Sequence, residues 1–333
     1  MTTRVTLADI ANRAVERVVG KRKNVGKEVA LKKGVEEVVG NNNVINDNDV
    51  EIDISDHLLE LPNYGDVPIQ MDTEYETETE TMFGGEEYES GILAYLQSRE
   101  PAVSSSLPSI TPRVRAVLVG WLAEVHSEFS LSQDTLFLTV SLLDSYISSP
   151  KGSSTTKSML QLVGVAAMLL AAKMEEVRVP LVSDFCYITD STYTAGEVKA
   201  MERRMLEVLD WRLTPALPTT FLTSYTRALA TDNETVGLAE YVLELGLMDH
   251  AMVGQKPSKL AAAALHLAMK VRKSRKSDFK KFNDNLAQLE DVSGFRVNYL
   301  QPMVVRMQSR LRAAEEGETS LQAVRQKYLL GGS

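Results

Sequence analysis

Leu160-Gln161-Leu162-Val163-Gly164-Val165-Ala166-Ala167-Met168-Leu169-Leu170-Ala171-Ala172 is the stretch that decides the fold. It is apolar on nearly every face of a helix, and such a helix is normally enclosed by other helices. Gly164 and the alanines let neighbours approach closely, so the segment belongs at the centre of a bundle. The unbroken apolar run, Leu162 to Ala172, stops at Lys173. That is well short of the ~20 residues a bilayer span requires.

Upstream, Val114, Val117, Leu118, Trp121, Leu122 and Val125 follow at helical spacing and form an amphipathic stripe. A second helix is predicted from an N-cap at Ser132 to Ile147. The polar insert from Ser148 to Ser158, with Pro150 and Gly152, reads as a loop. Downstream, Thr194 and Glu197 have the spacing of a capping box, followed by Val198, Met201, Met205, Val208 and Leu209. Pro215 and Pro218 then punctuate the chain. A second set of about five helices follows. One carries Leu238, Tyr241, Val242, Leu245 and Met248, and another is the Ala-rich Lys259 to Lys270. The halves share a plan, several helices around one small-residue apolar helix, and no strand-type alternation competes with it. The reading is all-α.

A length of 333 residues suggests two domains. The net charge of −9 disfavours nucleic acid as a partner. One cysteine, Cys186, excludes an intramolecular disulfide or a zinc cluster and fits a reducing compartment. Met1 to Thr6 carries no apolar signal core. The expectation is a soluble, intracellular protein with no membrane partner. The first ~85 residues have the composition of a disordered tail. They include Asn41-Asn42-Asn43 and the acidic run from Asp72 to Thr81. A basic stretch from Lys21 to Lys33 reads equally as an import or nucleic-acid patch and as a solvated segment.

Catalytic patterns are missing. There is no G-x-G-x-x-G, P-loop, G-x-S-x-G or H-E-x-x-H. His57, His126, His250 and His266 are scattered without ligand spacing. Cys186 sits among Phe185, Tyr187 and Ile188 as an inert thiol, and Glu175-Glu176 reads as a solvated helix end. The expectation is no catalytic residue, no metal and no cofactor.

Several stretches carry a resemblance to a known family. They are VRAVLVGWLAEV at 114–125, Leu142-Leu143-Asp144, Leu160 to Gly164, and Ala172-Lys173-Met174-Glu175-Glu176. Tyr187 to Thr194, Met201-Glu202 and PSKLAAAA at 257–264 complete the set. In this order they resemble the cyclin family from Tyr88 to about Arg312, and the Tyr-Ile-Thr-Asp stretch resembles its mitotic A and B types. RVTLADIAN at 4–12 resembles the destruction box of mitotic cyclins. Departures are Val114 in place of Met, Gly120 in place of Asp, Ser145 in place of Arg and Met174 in place of an aromatic.

The resemblance implies two tandem cyclin boxes, each a five-helix bundle, behind a disordered amino-terminal tail. The implied divisions are a tail at 1–87, a first box with its preceding helix at 88–215, a second box at 216–316 and a carboxy-terminal tail at 317–333. It implies a non-catalytic subunit that activates a mitotic cyclin-dependent protein kinase at G2/M and is destroyed at mitotic exit. Kinase contacts would fall to Lys173, Glu202, Tyr88, Ile92 and Tyr95, with Leu96 and Glu100 on the same preceding helix. Val114, Leu118, Trp121, Glu124 and Gln161 would form a docking patch for substrates with R-x-L-type motifs. Arg115 and Asp144 would be a structural ion pair. Arg4, Leu7 and Asn12 would bind the anaphase-promoting ubiquitin ligase. The implied location is nucleus and cytoplasm. The alternative is a cyclin-fold partner of a transcriptional kinase or another transcription-related cyclin-fold protein.

Overall fold

The structure, a computed structural model, describes residues 85–100, 107, 110–272, 279–318 and 321–330. Among them are twelve α-helices and no strand. The reading of a disordered tail and the box of Arg4, Leu7 and Asn12 lie outside the described residues.

Helix α1 is Gly85–Ser98. A first bundle follows: α2 Pro112–Glu128, α3 Gln133–Ser148, α4 Leu160–Glu175, α5 Val182–Ile188 and α6 Ala195–Val208. The second bundle comprises α7 Pro218–Ala228, α8 Asn233–Leu247, α9 Pro257–Arg272, α10 Phe279–Ser293 and α11 Val297–Glu315. Helix α12, Gln322–Leu330, closes the chain.

Each bundle is wound around its small-residue apolar helix. Helix α4 is flanked by α2, α3 and α6, and every residue from Leu160 to Ala172 is buried. This enclosure accounts for a helix apolar enough, by composition, to cross a membrane. Gly164 explains the close fit. A Cβ there would sit 3.3 Å from both terminal methyls of Leu122 and 3.4 Å from Leu118 Cδ1. Helix α9 has the matching role, flanked by α7, α8, α10 and α11, with Ala261 to Met269 buried.

The caps follow the sequence. Ser132 Oγ accepts from Thr135 N at 3.4 Å. Thr194 Oγ1 accepts from Glu197 N at 3.3 Å while Glu197 accepts from Thr194 N at 2.8 Å, a reciprocal capping box. Asp232 caps α8 through Thr235 N at 3.0 Å. In the loop after α3, a Cβ on Gly152 would lie 1.8 Å from the carbonyl oxygen of Tyr146, so only glycine fits there.

The sequence reading left 317–333 as a tail, but residues 322–330 form α12, which packs on α2 and α8. Its Lys327 Nζ donates to Glu244 Oε1 at 2.6 Å, as does the Tyr328 hydroxyl at 3.0 Å. Gln133 of α3 donates to the same oxygen at 3.0 Å. Glu244 itself is fully buried in α8, so α12 and the first bundle neutralise a carboxylate belonging to the second.

Candidate functional site

The buried run of α4 ends at Lys173, whose side chain is 46% exposed and donates to Glu202 of α6, 12% exposed. The packing of α4 against α6 brings the two together. The chain that follows α4 is apolar yet uncovered: Met174, Val177, Val179 and Leu181 are all exposed, as is Tyr187 on α5. A charged pair thus lies beside a run of solvent-facing aliphatics. Glu176, read from sequence as a solvated end, turns back instead and accepts from Ser132 N at 2.7 Å and from Thr135 Oγ1. Burial opposes its ionisation, but the bonds from Thr135 and Ser132 outweigh that and hold its pKa below the usual value. It thereby ties the end of α4 to the start of α3.

Helix α1 adds a second exposed face. Ile92 and Tyr95 point to solvent, Tyr95 61% exposed, while Leu93 is buried. Tyr88 falls within α1, its side chain outside the described set. On α2, Arg115 and Asp144 of α3 form a buried bidentate pair, Nε to Oδ1 2.9 Å and Nη2 to Oδ2 2.6 Å. Arg115 Nη1 also donates 2.7 Å to the carbonyl of Leu247, at the end of α8. The pair therefore joins the two bundles as well as bracing the first. Among the described residues no His, Cys, Asp and Glu cluster could hold a metal.

Two family models match this chain in tandem: the cyclin N-terminal domain over residues 91–214 and the cyclin C-terminal domain over 216–329. The chain belongs to the cyclin family. Among curated proteins it is 37% identical to a G2/mitotic-specific cyclin-B2 of Oryzias latipes over 238 residues, 71% of this chain and 59% of that one. It is 38% identical to a G2/mitotic-specific cyclin-B of Marthasterias glacialis over 223 residues, 67% of this chain and 54% of that one. The match thus spans little more than half the length of these relatives. A viral cyclin from herpesvirus saimiri shares the fold, with a TM-score of 0.57 at 22% identity, covering 68% of this chain and 97% of that one.

The docking patch read from sequence needs correction at three of its five positions, because Leu118, Trp121 and Gln161 are all buried. Leu118 is 0% exposed, packed under Gly164, so it belongs to the core and offers nothing to a docked peptide. Val117 is half-buried and shares a face with Val114, Trp121 and Glu124, at spacings of three, four and three residues. Trp121 and Gln161 are themselves buried, and the Gln161 amide nitrogen has no hydrogen-bond partner.

Glu124, half-buried, has its pKa raised from 4.5 to about 7 by loss of solvation. Glu240 on α8 is also raised to about 7, by burial first and then by the charge of Glu244. A carboxyl whose folded pKa exceeds its unfolded value favours folding when protonated. The contribution of these two carboxyls is therefore fully present below about 4.5, falls as pH rises to about 7, and levels off above. Glu124→Gln should stabilise the protein at pH 8 by about 1–2 kcal/mol, allowing for its solvent contact, and do little at pH 4.5. Urea unfolding at both pH values, with the loss between them smaller in the variant than in the wild type, is the check.

Proposed function

We propose that this cyclin is the non-catalytic regulatory subunit of a cyclin-dependent protein kinase acting at the G2/M transition, in nucleus and cytoplasm. The observation that carries the reading is the Lys173–Glu202 pair set beside the exposed run from Met174 to Leu181. An ammonium can donate to main-chain carbonyls of a kinase and a carboxylate can accept from its amides, contacts that tolerate side-chain variation in the partner. Binding the active arrangement of the kinase more tightly than the inactive one is enough to activate it. That the curated relatives are G2/mitotic-specific cyclins supports the mitotic assignment. Affinity capture from synchronised cells, followed by a histone-kinase assay of the eluate, tests it. Activity that rises with entry into mitosis is expected, and no kinase at any stage would overturn the proposal.

The half-buried Val114, Val117 and Glu124, lying over the buried Trp121, are the proposed dock for R-x-L-type substrates, with Glu124 receiving the arginine. The sequence from Arg4 to Asn12 is the proposed signal for the anaphase-promoting ubiquitin ligase. Arg4→Ala with Leu7→Ala should lengthen the half-life at mitotic exit severalfold. A cycloheximide chase showing no change would remove that part of the proposal.

A further inference from the structure

Helix α1 is fastened to the second bundle by two side chains. It packs on α7, with Leu93 buried. Gln97 Nε2 donates 3.2 Å to the carbonyl of Ser293, the last residue of α10. Glu100, just past the end of α1, accepts from the backbone N of Ser258 at 2.7 Å. The fully buried Tyr225 of α7 lies beside both side chains.

The contact at Ser258 answers a local deficit. The first intrahelical bond of α9 runs from Leu260 N to the Lys256 carbonyl at 3.0 Å, which makes Lys256 the N-cap. A lysine side chain has no acceptor, so it cannot serve the free amides of the first turn. Pro257 has none to serve, leaving the buried Ser258 as the first donor without an intrahelical partner. The missing cap comes from 158 residues away in sequence, just past the end of α1. Leu93, Leu96 and Gln97 of α1 share one side with Glu100 beyond its end, at spacings of three, one and three, and Gln97 and Glu100 reach the second bundle. Ile92 and Tyr95 lie on a neighbouring face and are exposed.

We propose that Glu100, assisted by Gln97, is the positioning residue that docks α1 on α9 and so presents Ile92 and Tyr95 to the kinase. This rests on the kinase-binding function proposed above. Hydrogen exchange on the isolated chain tests the docking itself. Glu100→Ala should speed exchange of the α1 amides about tenfold while α4 stays protected. Its affinity for a co-expressed mitotic cyclin-dependent kinase should fall on the order of tenfold. Glu100→Gln, whose amide oxygen still accepts, should recover most of both. Adding Lys256→Ser to Glu100→Ala gives α9 a cap of its own. That double variant should regain thermal stability yet keep the fast α1 exchange and the weak kinase binding. If Lys256→Ser restored α1 protection and affinity together, Glu100 would act only by stabilising α9, and the proposal would be overturned. Unaltered α1 exchange in Glu100→Ala would overturn it as well. A wild-type chain that bound no kinase would defeat the presentation of Ile92 and Tyr95, while exchange would still decide the docking.

Discussion

Lys173→Ala combined with Glu202→Ala should abolish kinase capture, by at least about a hundredfold, and leave the fold intact. Hydrogen bonds made by charged groups are each worth ~1.5–3 kcal/mol, so losing two removes roughly two to four powers of ten in affinity. The fold should tolerate the change because Lys173 lies beyond the buried run of α4 and its ion pair is partly solvated. Such pairs contribute only ~0–1 kcal/mol to stability. The single variants should be intermediate, with effects that do not sum, because each side chain orients the other in the free protein. Calorimetric titration with purified kinase, paired with a thermal melt, reads both quantities. Normal binding by the double variant would mean that the kinase sits elsewhere.

The parts of this cyclin that were legible in sequence are those set by local pattern. The apolar run of α4, its Gly164 and the caps at Ser132 and Thr194 all announce themselves within one helix or one turn. Periodicity also places the face of α2 that meets α4, although it blurred the boundary between Val117 and Leu118, neighbours 100° apart on that helix. Contacts that depend on how elements meet could not be read. Nothing about Glu244 in sequence foretells that Lys327 and Tyr328, over 80 residues on, will neutralise it. That contact is also why the short α12 passed for a tail. Likewise Arg115 gave no sign of reaching the Leu247 carbonyl, nor Glu100 of capping α9. Lys173 and Glu202 are different again. Each is an ordinary surface residue by pattern, and only the family resemblance singled them out.

Asp144→Ala should be strongly destabilising, costing about 3–5 kcal/mol. The carboxylate takes two of the bonds of Arg115, whose side chain is 3% exposed, and the third goes to Leu247. Without Asp144 a guanidinium is left buried between the bundles with one neutral acceptor. That loss is a large share of a typical folding free energy of ~5–15 kcal/mol. A compensating route exists. The pair borders a cavity of about 100 Å³ between the bundles, lined also by Phe137, Leu243, Met252 and Leu260. Shortening Asp144 would enlarge it and allow water to reach Arg115, which draws the expected cost toward the lower end of the range. Arg115→Met with Asp144→Leu should recover much of the loss by filling the space with apolar atoms. It should not recover all, because the Leu247 carbonyl then loses its donor. A double-mutant cycle in urea measures each step. A cost below about 1 kcal/mol for Asp144→Ala would show that solvent already serves Arg115, and that the Glu244 contacts with α3 and α12 carry the junction instead.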